Sequence, residues 1–524
     1  MKIDKRPIAL IILDGFGMAP PRETNAISQA KKPFFDLLIK NYPTTLIEAS
    51  GLSVGLPQGE FGNSEVGHLT LGSGIIRYQS LPRIDNTIFN GSFFNAPGLE
   101  KIAEGLHQNK NSKLHLMGLL GTGGVHSHQR HLEALLQWAD QQKLNDRVYL
   151  HLFLDGRDTD KQSGLRFMQD ILKFCKKNDV GRVASIGGRY YGMDRNHNWD
   201  RIELAYRAIV EGKSKNIFND PIIAIETAYE NKIFDEEIKP TVIVDKNDQP
   251  IATIDSGDSL IFFNFRADRA IQMTQALSQK KFNEFETKKL NQLSILTFTQ
   301  YEDDLPVDVL FAQQRIENPL ARILSQHKLK QIHLAETEKY AHITYFLNGG
   351  REEPFAGEDR ILIPSPDVTS YDKKPEMSAG ELTKNILKII ENNKHDFLAI
   401  NYANPDMVAH TGNVSATVKA VEFVDQCLSK IIPAIEKKGG VAFVVGDHGN
   451  AEELVNLLTK QVDKEHNVYP VPFIGVGSNN RKGNFNQKSL ALASPIGTLA
   501  DVAPTILAEM GIVIPEEMSG QNLF

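Results

Sequence analysis

Asp406 and His410 stand four apart, directly after Pro405, the spacing that puts two side chains on one face of a helix's first turn. Asp447 and His448 open the run Asp447-His448-Gly449-Asn450, His466 lies shortly before Pro470-Val471-Pro472, and Asp14 ends a short apolar run. Three carboxylates and three imidazoles make a mixed oxygen and nitrogen donor set, suited to Mn²⁺ or Zn²⁺ rather than to soft, thiolate-seeking metals. The candidate nucleophile is Ser64, in Gly62-Asn63-Ser64-Glu65-Val66-Gly67-His68. Glycines on both sides let the backbone turn sharply and approach a ligand. A serine hydroxyl is a weak nucleophile unless a base or a metal activates it, and no Gly-x-Ser-x-Gly elbow surrounds this one.

A second group of residues points to anion binding. Arg157, Arg189, Arg195, Arg266 and Arg269 follow three separate apolar runs, with Asp158 among them. A guanidinium meets a carboxylate or a phosphate in two parallel hydrogen bonds and stays charged.

The elements that must position these residues read as buried parallel strands. Ile8 to Leu13 stops at Asp14, Phe397 to Ile400 leads to Asp406, and Val441 to Val445 leads to Asp447. Short apolar runs of this kind are strands covered by helices on both faces, and open α/β sheets bind ligands at the carboxyl ends of their strands. Ser378-Ala379-Gly380-Glu381 predicts a capping box, followed by Leu382, Ile386, Ile389 and Ile390 at helical spacing. The Lys/Glu/Asn-rich stretch from Gln279 to Asn291 reads as a solvated helix face.

In the middle of the chain, runs beginning at Lys113, Val148, Arg182 and Leu260 lead into Arg and His instead of lone Asp residues. The contrast predicts two α/β domains, one inserted in the other. The expected boundaries are 1–78 with 314–524 for the outer domain and 84–300 for the insert, with hinges at 79–83 and 301–313.

The chain has 524 residues, 41% hydrophobic and 23% charged, with a net charge of -7. That is an ordinary globular balance, long enough for more than one compact unit and opposed to a nucleic-acid coat. Two cysteines, Cys175 and Cys427, make no disulfide framework and suit a reducing compartment. No run approaches the ~20 apolar residues of a membrane span. A soluble cytoplasmic protein that binds neither nucleic acid nor membrane is expected.

In order along the chain stand Asp14-Gly-Phe-Gly17, the Ser64 segment, Gly124-Val-His-Ser-His128, Leu154-Asp-Gly-Arg-Asp158 and Gly188-Arg-Tyr-Tyr-Gly-Met-Asp-Arg195. Asn264-Phe-Arg-Ala-Asp-Arg269, Ala335-Glu-Thr-Glu-Lys-Tyr340, Asn404-Pro-Asp-Met-Val-Ala-His410 and Gly446-Asp-His-Gly-Asn450 follow. Over essentially its whole length the sequence closely resembles the cofactor-independent (2,3-bisphosphoglycerate-independent) phosphoglycerate mutases of the alkaline phosphatase superfamily. The resemblance implies an alkaline-phosphatase-like three-layer α/β domain with an inserted second α/β domain, acting as a monomer. It implies interconversion of 3-phosphoglycerate and 2-phosphoglycerate through a phosphoserine on Ser64, with two divalent ions and without 2,3-bisphosphoglycerate. One Mn²⁺, with Co²⁺ or Zn²⁺ as substitutes, would be held by Asp406, His410 and His466, the other by Asp14, Ser64, Asp447 and His448. His126, Arg157, Asp158, Arg189, Arg195, Arg266, Arg269 and Lys339 would contact the substrate. Asp158 is the expected proton carrier, and Lys339 would stabilise phosphoryl charge.

This sequence departs from the family pattern at Gly446, where alanine is usual, at Gly121-Thr122, where Ser-Asp is usual, and after His466, where Asn-Val-Tyr replaces Thr-Thr-Asn. The alternative reading is a metal-dependent phosphomonoesterase or phosphopentomutase of the same superfamily, which would lack the arginine-rich insert.

Overall fold

A computed structural model describes residues 7–312, 315–477 and 484–524. The chain divides into two compact units, one of Met1–Gln79 with Gln314–Phe524, the other of Ser80–Gln313. Residues 1–6 and 313–314, which include the end of the second expected hinge, lie outside the described residues.

The described residues of the first unit build an eight-stranded sheet in the order Glu358–Ile363, Gln331–Glu336, Phe397–Tyr402, Ile8–Leu13, Val441–Gly446, Val471–Val476, Thr44–Glu48, Gly497–Thr498. The first five strands are mutually parallel, and Val471–Val476 runs against both its neighbours. The central strand explains the apolar run. Ala9, Ile11 and Leu13 pack with Ile386, Val424 and Ile431 on one face, and Ile8, Leu10 and Ile12 with Leu71, Phe443 and Ile506 on the other. Since alternate side chains point to opposite faces, both must be apolar. Leu13 is in register with Tyr402 on one side and Gly446 on the other. That register brings Asp14 and Asp447 side by side at the carboxyl edge.

The second unit repeats the plan in the order Asp308–Val309, Ser294–Thr297, Ser259–Phe262, Leu114–Leu120, Val148–Leu154, Arg182–Gly188, Thr241–Ile243, Asn216–Phe218. Leu120, Leu154 and Gly188 share one register, so Asp155 and Arg189 emerge together. No described helix is long and apolar enough to cross a membrane.

Two local expectations need correction. The helix Ala379–Asn392 forms, and Leu382, Ile386 and Ile390 are buried along it. Its Ser378 makes no capping hydrogen bond, because the hydroxyl donates to Pro364 O at 2.7 Å and the backbone N–H to Glu336 at 3.0 Å. The stretch Gln279 to Asn291 holds no helix. Phe282 and Phe285 pin it instead, their rings 5.3 and 5.4 Å from Trp199 and Tyr206. At the expected hinges, residues 80–83 are the first turn of the helix Ser80–Phe89. Residues 301–312 pack into the second unit, Tyr301 donating to Asn264 O at 2.6 Å and Phe311 lying in the core beside Phe298.

Candidate active site

Asp14 follows the central strand and is fully buried. Gly15 then adopts φ 67°, and a Cβ there would lie 2.8 Å from Asp406 Cα, so a glycine is required where these two segments meet. Its N–H donates to Asp447 Oδ1 at 3.0 Å.

Ser64 opens the helix Ser64–Ser73, which Asn63 caps by accepting from Val66 N–H. Ser64 Oγ lies 3.2 Å from Asp14 Oδ1 and 2.9 Å from His448 Nε2. Lys339, on the turn after Gln331–Glu336, donates to Ser64 Oγ at 2.7 Å and to Asp14 Oδ1 and Asp406 Oδ2, each at 2.6 Å. An ammonium has three N–H groups, and all are engaged. The expected set Asp14, Ser64, Asp406, Asp447, His448 and Lys339 is thus one buried cluster.

The imidazoles share one orientation. His410 Nδ1 donates to Lys464 O at 2.6 Å, His466 Nδ1 to Gly62 O at 2.9 Å and His448 Nδ1 to Gly449 O at 3.3 Å. A carbonyl only accepts, so the proton is on Nδ1 in each and Nε2 faces the carboxylates. Metal-ligating histidines are held this way by their second nitrogen. His410 and His466 Nε2 lie 3.3 and 3.4 Å from Asp406 Oδ1 and 3.1 Å from each other.

Donor atoms of Asp406, His448 and His466, and separately of Asp14, Asp447 and His448, lie within 4.8 Å of one another. His448 therefore reaches both groups. Asp447 Oδ2 is buried without a hydrogen bond, 3.3 Å from His68 Nδ1 and 3.5 Å from His448 Nε2.

Three buried carboxylates around one ammonium leave excess negative charge. Burial, then the charges of Asp447 and Asp406, push the Asp14 carboxyl up to about 7, although Lys339 opposes them. Burial also works against ionisation of Asp406, but Lys339, His410 and His466 outweigh it and hold that carboxyl well below its ordinary value. Burial pulls Lys339 down, yet Asp14, Asp406 and Asp447 raise it further. A cage of hard oxygen and imidazole donors with surplus negative charge and an orphaned carboxylate oxygen fits divalent cations.

Sequence reasoning missed the residues behind this cluster as actors. Asn401 Nδ2 donates to Asp14 Oδ2 at 2.7 Å and lies 2.9 Å from His68 Nε2. Asn450 Nδ2 donates to Asp406 Oδ1 at 2.7 Å. Glu452, pushed up to about 7 by burial, accepts from Gly17 and Asn450 N–H at 2.9 and 3.1 Å. A polar Asn401 ending an apolar strand was the available signal. Gly446 also has a packing reason: a Cβ there would come within 2.5 Å of Phe16 O.

In the second unit, Arg189 Nη1 reaches Asp155 Oδ1 at 2.6 Å and Asp158 Oδ2 at 2.5 Å. Asp155 Oδ1 also accepts from the N–H groups of Arg157 and Asp158, so it shapes the turn that carries them. An open cleft of about 490 Å³ adjoins Arg157 and Asp158, lined also by Thr122, Gly123, Ser163 and Arg166. Arg195 Nη1 and Arg266 Nε reach Asp268 at 2.9 and 3.3 Å, with His126 Nδ1 at 3.6 Å. Burial, then the charge of Arg189, lowers His126 to about 4. Burial lowers Arg269, and the nearby charges of Arg189, Arg195 and Arg157 lower it further. The expected anion-binding residues of this unit therefore cluster, while Lys339 belongs with Ser64.

Arg189 and Asp155 are each 2% exposed, and removing one partner of a buried pair strands the other charge. Arg189→Met is expected to lower unfolding free energy by about 3–5 kcal/mol, read from urea midpoints; a change within about 1 kcal/mol would contradict that account.

The second unit matches the family model described as BPG-independent PGAM N-terminus, over residues 84–303. The 2,3-bisphosphoglycerate-independent phosphoglycerate mutase of Chloroflexus aggregans is 47% identical, covering 99% of this chain and 98% of the relative. That of Clostridium acetobutylicum is 47% identical, covering 99% of each. The solved structure of Leishmania mexicana phosphoglycerate mutase at low cobalt concentration is 30% identical with a TM-score of 0.52, covering 99% and 98%. On the two relatives, each covering 99% of it, the chain belongs to the 2,3-bisphosphoglycerate-independent phosphoglycerate mutase family.

Proposed function

We propose that this chain interconverts 3-phosphoglycerate and 2-phosphoglycerate through a phosphoserine on Ser64, with two divalent ions, Mn²⁺ foremost, and no 2,3-bisphosphoglycerate. The observation that carries the reading is the Ser64 hydroxyl inside the carboxylate and imidazole cage, 2.7 Å from the Lys339 ammonium. Asp406, His410 and His466 would hold one ion and Asp14, Ser64, Asp447 and His448 the other, with His448 in reach of both groups. Bound there, the ions would supply Lewis-acid stabilisation of the phosphoryl oxygens.

Ser64 Oγ attacks phosphorus and the bond to the glycerate oxygen breaks. The Lys339 N–H directed at Oγ favours the oxyanion over the hydroxyl, and Asp14 Oδ1, 3.2 Å away, is an acceptor for the departing proton. Arg157, Arg189, Arg195, Arg266, Arg269 and His126 retain the glycerate by its charged group. Asp158 takes the proton of the glycerate's other hydroxyl and passes it to the leaving alkoxide; the freed oxygen then attacks the phosphoserine, the bond from phosphorus to Ser64 Oγ breaks, and Asp14 returns the proton to that oxygen. Glycerate retention makes this a mutase: water in its place would give a phosphatase.

An enolase-coupled assay after chelation, with no bisphosphoglycerate added, tests the reading. Activity should vanish with the metal and return with Mn²⁺, yielding 2-phosphoglycerate; release of inorganic phosphate alone would support a hydrolase.

The acid limb has a defined sign. The Asp406 hydrogen bond raises His410 above its ordinary 6.5. For His466, burial opposes but the hydrogen bond and charge of Asp406 prevail, again raising it. Burial lowers His448 to about 4, so it is already deprotonated at neutral pH. His410 and His466 must each lose a proton before Nε2 can bind an ion. Metal affinity and activity are therefore expected to fall as pH drops, starting above 6.5. Calorimetric titration with Mn²⁺ at stepped pH reads this, and an affinity flat between pH 8 and about 6 would refute it.

A further inference from the structure

Asp268 is surrounded by groups that the proposed reaction assigns to the substrate. Its Oδ2 accepts from Arg195 Nη1 at 2.9 Å. Its Oδ1 lies 3.3 Å from Arg266 Nε and 3.6 Å from His126 Nδ1. Both Oδ1 and His126 Nδ1 are buried, and neither makes a hydrogen bond. Two facing polar atoms left unsatisfied are unusual, because each forfeits its interaction with water.

Neighbouring carboxylates with a structural task look different. Asp194, on the loop that carries Arg195, accepts from Asn196 N–H, Asn198 N–H, Asn198 Nδ2 and Arg201 at 2.8, 3.0, 2.8 and 3.1 Å. Asp155 accepts from Arg189 and two backbone N–H groups. Among the described residues, the one hydrogen bond recorded for the Asp268 carboxylate is from Arg195. Arg195 and Arg266 are about half exposed, so their forks have room to turn toward another anion. Asp268 itself is 30% exposed and has a path to solvent.

We propose that Asp268 is a displaceable internal anion: its carboxylate occupies the place of a substrate oxyanion among Arg195, Arg266 and His126, and yields it when phosphoglycerate binds. The inference rests on the arginine cluster being the glycerate site. An oxyanion placed there would satisfy His126 Nδ1–H and both guanidinium groups, while the Asp268 carboxylate turns to water. The displacement cost weakens every anion by the same factor, so weakly bound ones are held off. A small anion such as inorganic phosphate must displace Asp268 with one charged group, whereas phosphoglycerate brings a second group held by other residues. Asp268 thereby raises the threshold for simple anions and keeps the arginines gathered against their mutual repulsion.

Asp268→Asn keeps the shape and removes the charge. The inhibition constant of inorganic phosphate and the KM for 3-phosphoglycerate are expected to fall together by about fivefold, the upper worth of a partly exposed ion pair. A gain of anion affinity is a result that loss of a structural support does not produce. Values within twofold of wild type, or weaker, would overturn the proposal. Should the asparagine variant fail to fold by circular dichroism, Asp268→Ser is read by the same two constants. Calorimetric titration of either variant with phosphate needs no turnover, so it tests Asp268 even if wild type proves inert toward 3-phosphoglycerate. That inertness would instead overturn the mutase reading.

Discussion

Ser64→Ala is expected to cut mutase turnover by at least about 10⁴-fold and to eliminate the phosphoenzyme, because it removes the hydroxyl held against Asp14, His448 and Lys339. The fold should survive. Asn63, not Ser64, caps the helix by accepting from Val66 N–H, so the lost oxygen takes no capping bond with it. Lys339 loses one of three acceptors and keeps Asp14 and Asp406. The local penalty is therefore about 1–3 kcal/mol, enough to shift a melting temperature and not to unfold the chain. Intact-mass spectrometry after brief mixing with 3-phosphoglycerate, alongside the coupled assay, reads both parts. Normal turnover in a variant confirmed as alanine would falsify the covalent route. Retained phosphorylation at another residue would move the nucleophile elsewhere.

The carboxyl-edge residues were legible in the sequence because of where strands must end. Ile8–Leu13 is apolar at every position since both its faces are covered, and such a run stops where the chain reaches the ligand edge. Asp14 and Asp447 could be placed that way, and the register of Leu13 with Gly446 puts them side by side. The Arg189 salt bridges follow likewise from Leu154 and Gly188 sharing a register. What the sequence hid was competition for hydrogen bonds. Ser378 had the composition of a cap, but its hydroxyl is taken by Pro364 O and its N–H by Glu336, partners contributed by other segments of the chain. Gln279 to Asn291 was read by its charges, while Phe282 and Phe285 decide its path by packing on Trp199 and Tyr206. Asn401 and Asp268 carry no local signature of their partners. Asn401 gains meaning only once Asp14 and His68 are its neighbours, and Asp268 only beside Arg195, Arg266 and His126.

Lys339→Met should separate the two tasks of the cage, holding cations and stabilising the transferring group. The ammonium contacts Ser64 Oγ, Asp14 Oδ1 and Asp406 Oδ2 at 2.6–2.7 Å in a fully buried setting. Loss of one preorganised donor of this kind lowers kcat by about 10²–10³-fold, and its added influence on the Ser64 oxygen places this change at the upper end. The effect on metal has the opposite sign. A divalent ion and the ammonium compete for the same carboxylate oxygens, so removing the ammonium leaves Asp14 and Asp406 more available to cations. Mn²⁺ affinity should hold or tighten while kcat collapses, with KM for 3-phosphoglycerate changing far less. A parallel loss of metal affinity and kcat would mean that Lys339 supports the cage as structure and takes no part in handling phosphoryl charge. Arginine is not expected to rescue, because a planar fork cannot direct its N–H groups at three oxygens arranged around a single nitrogen.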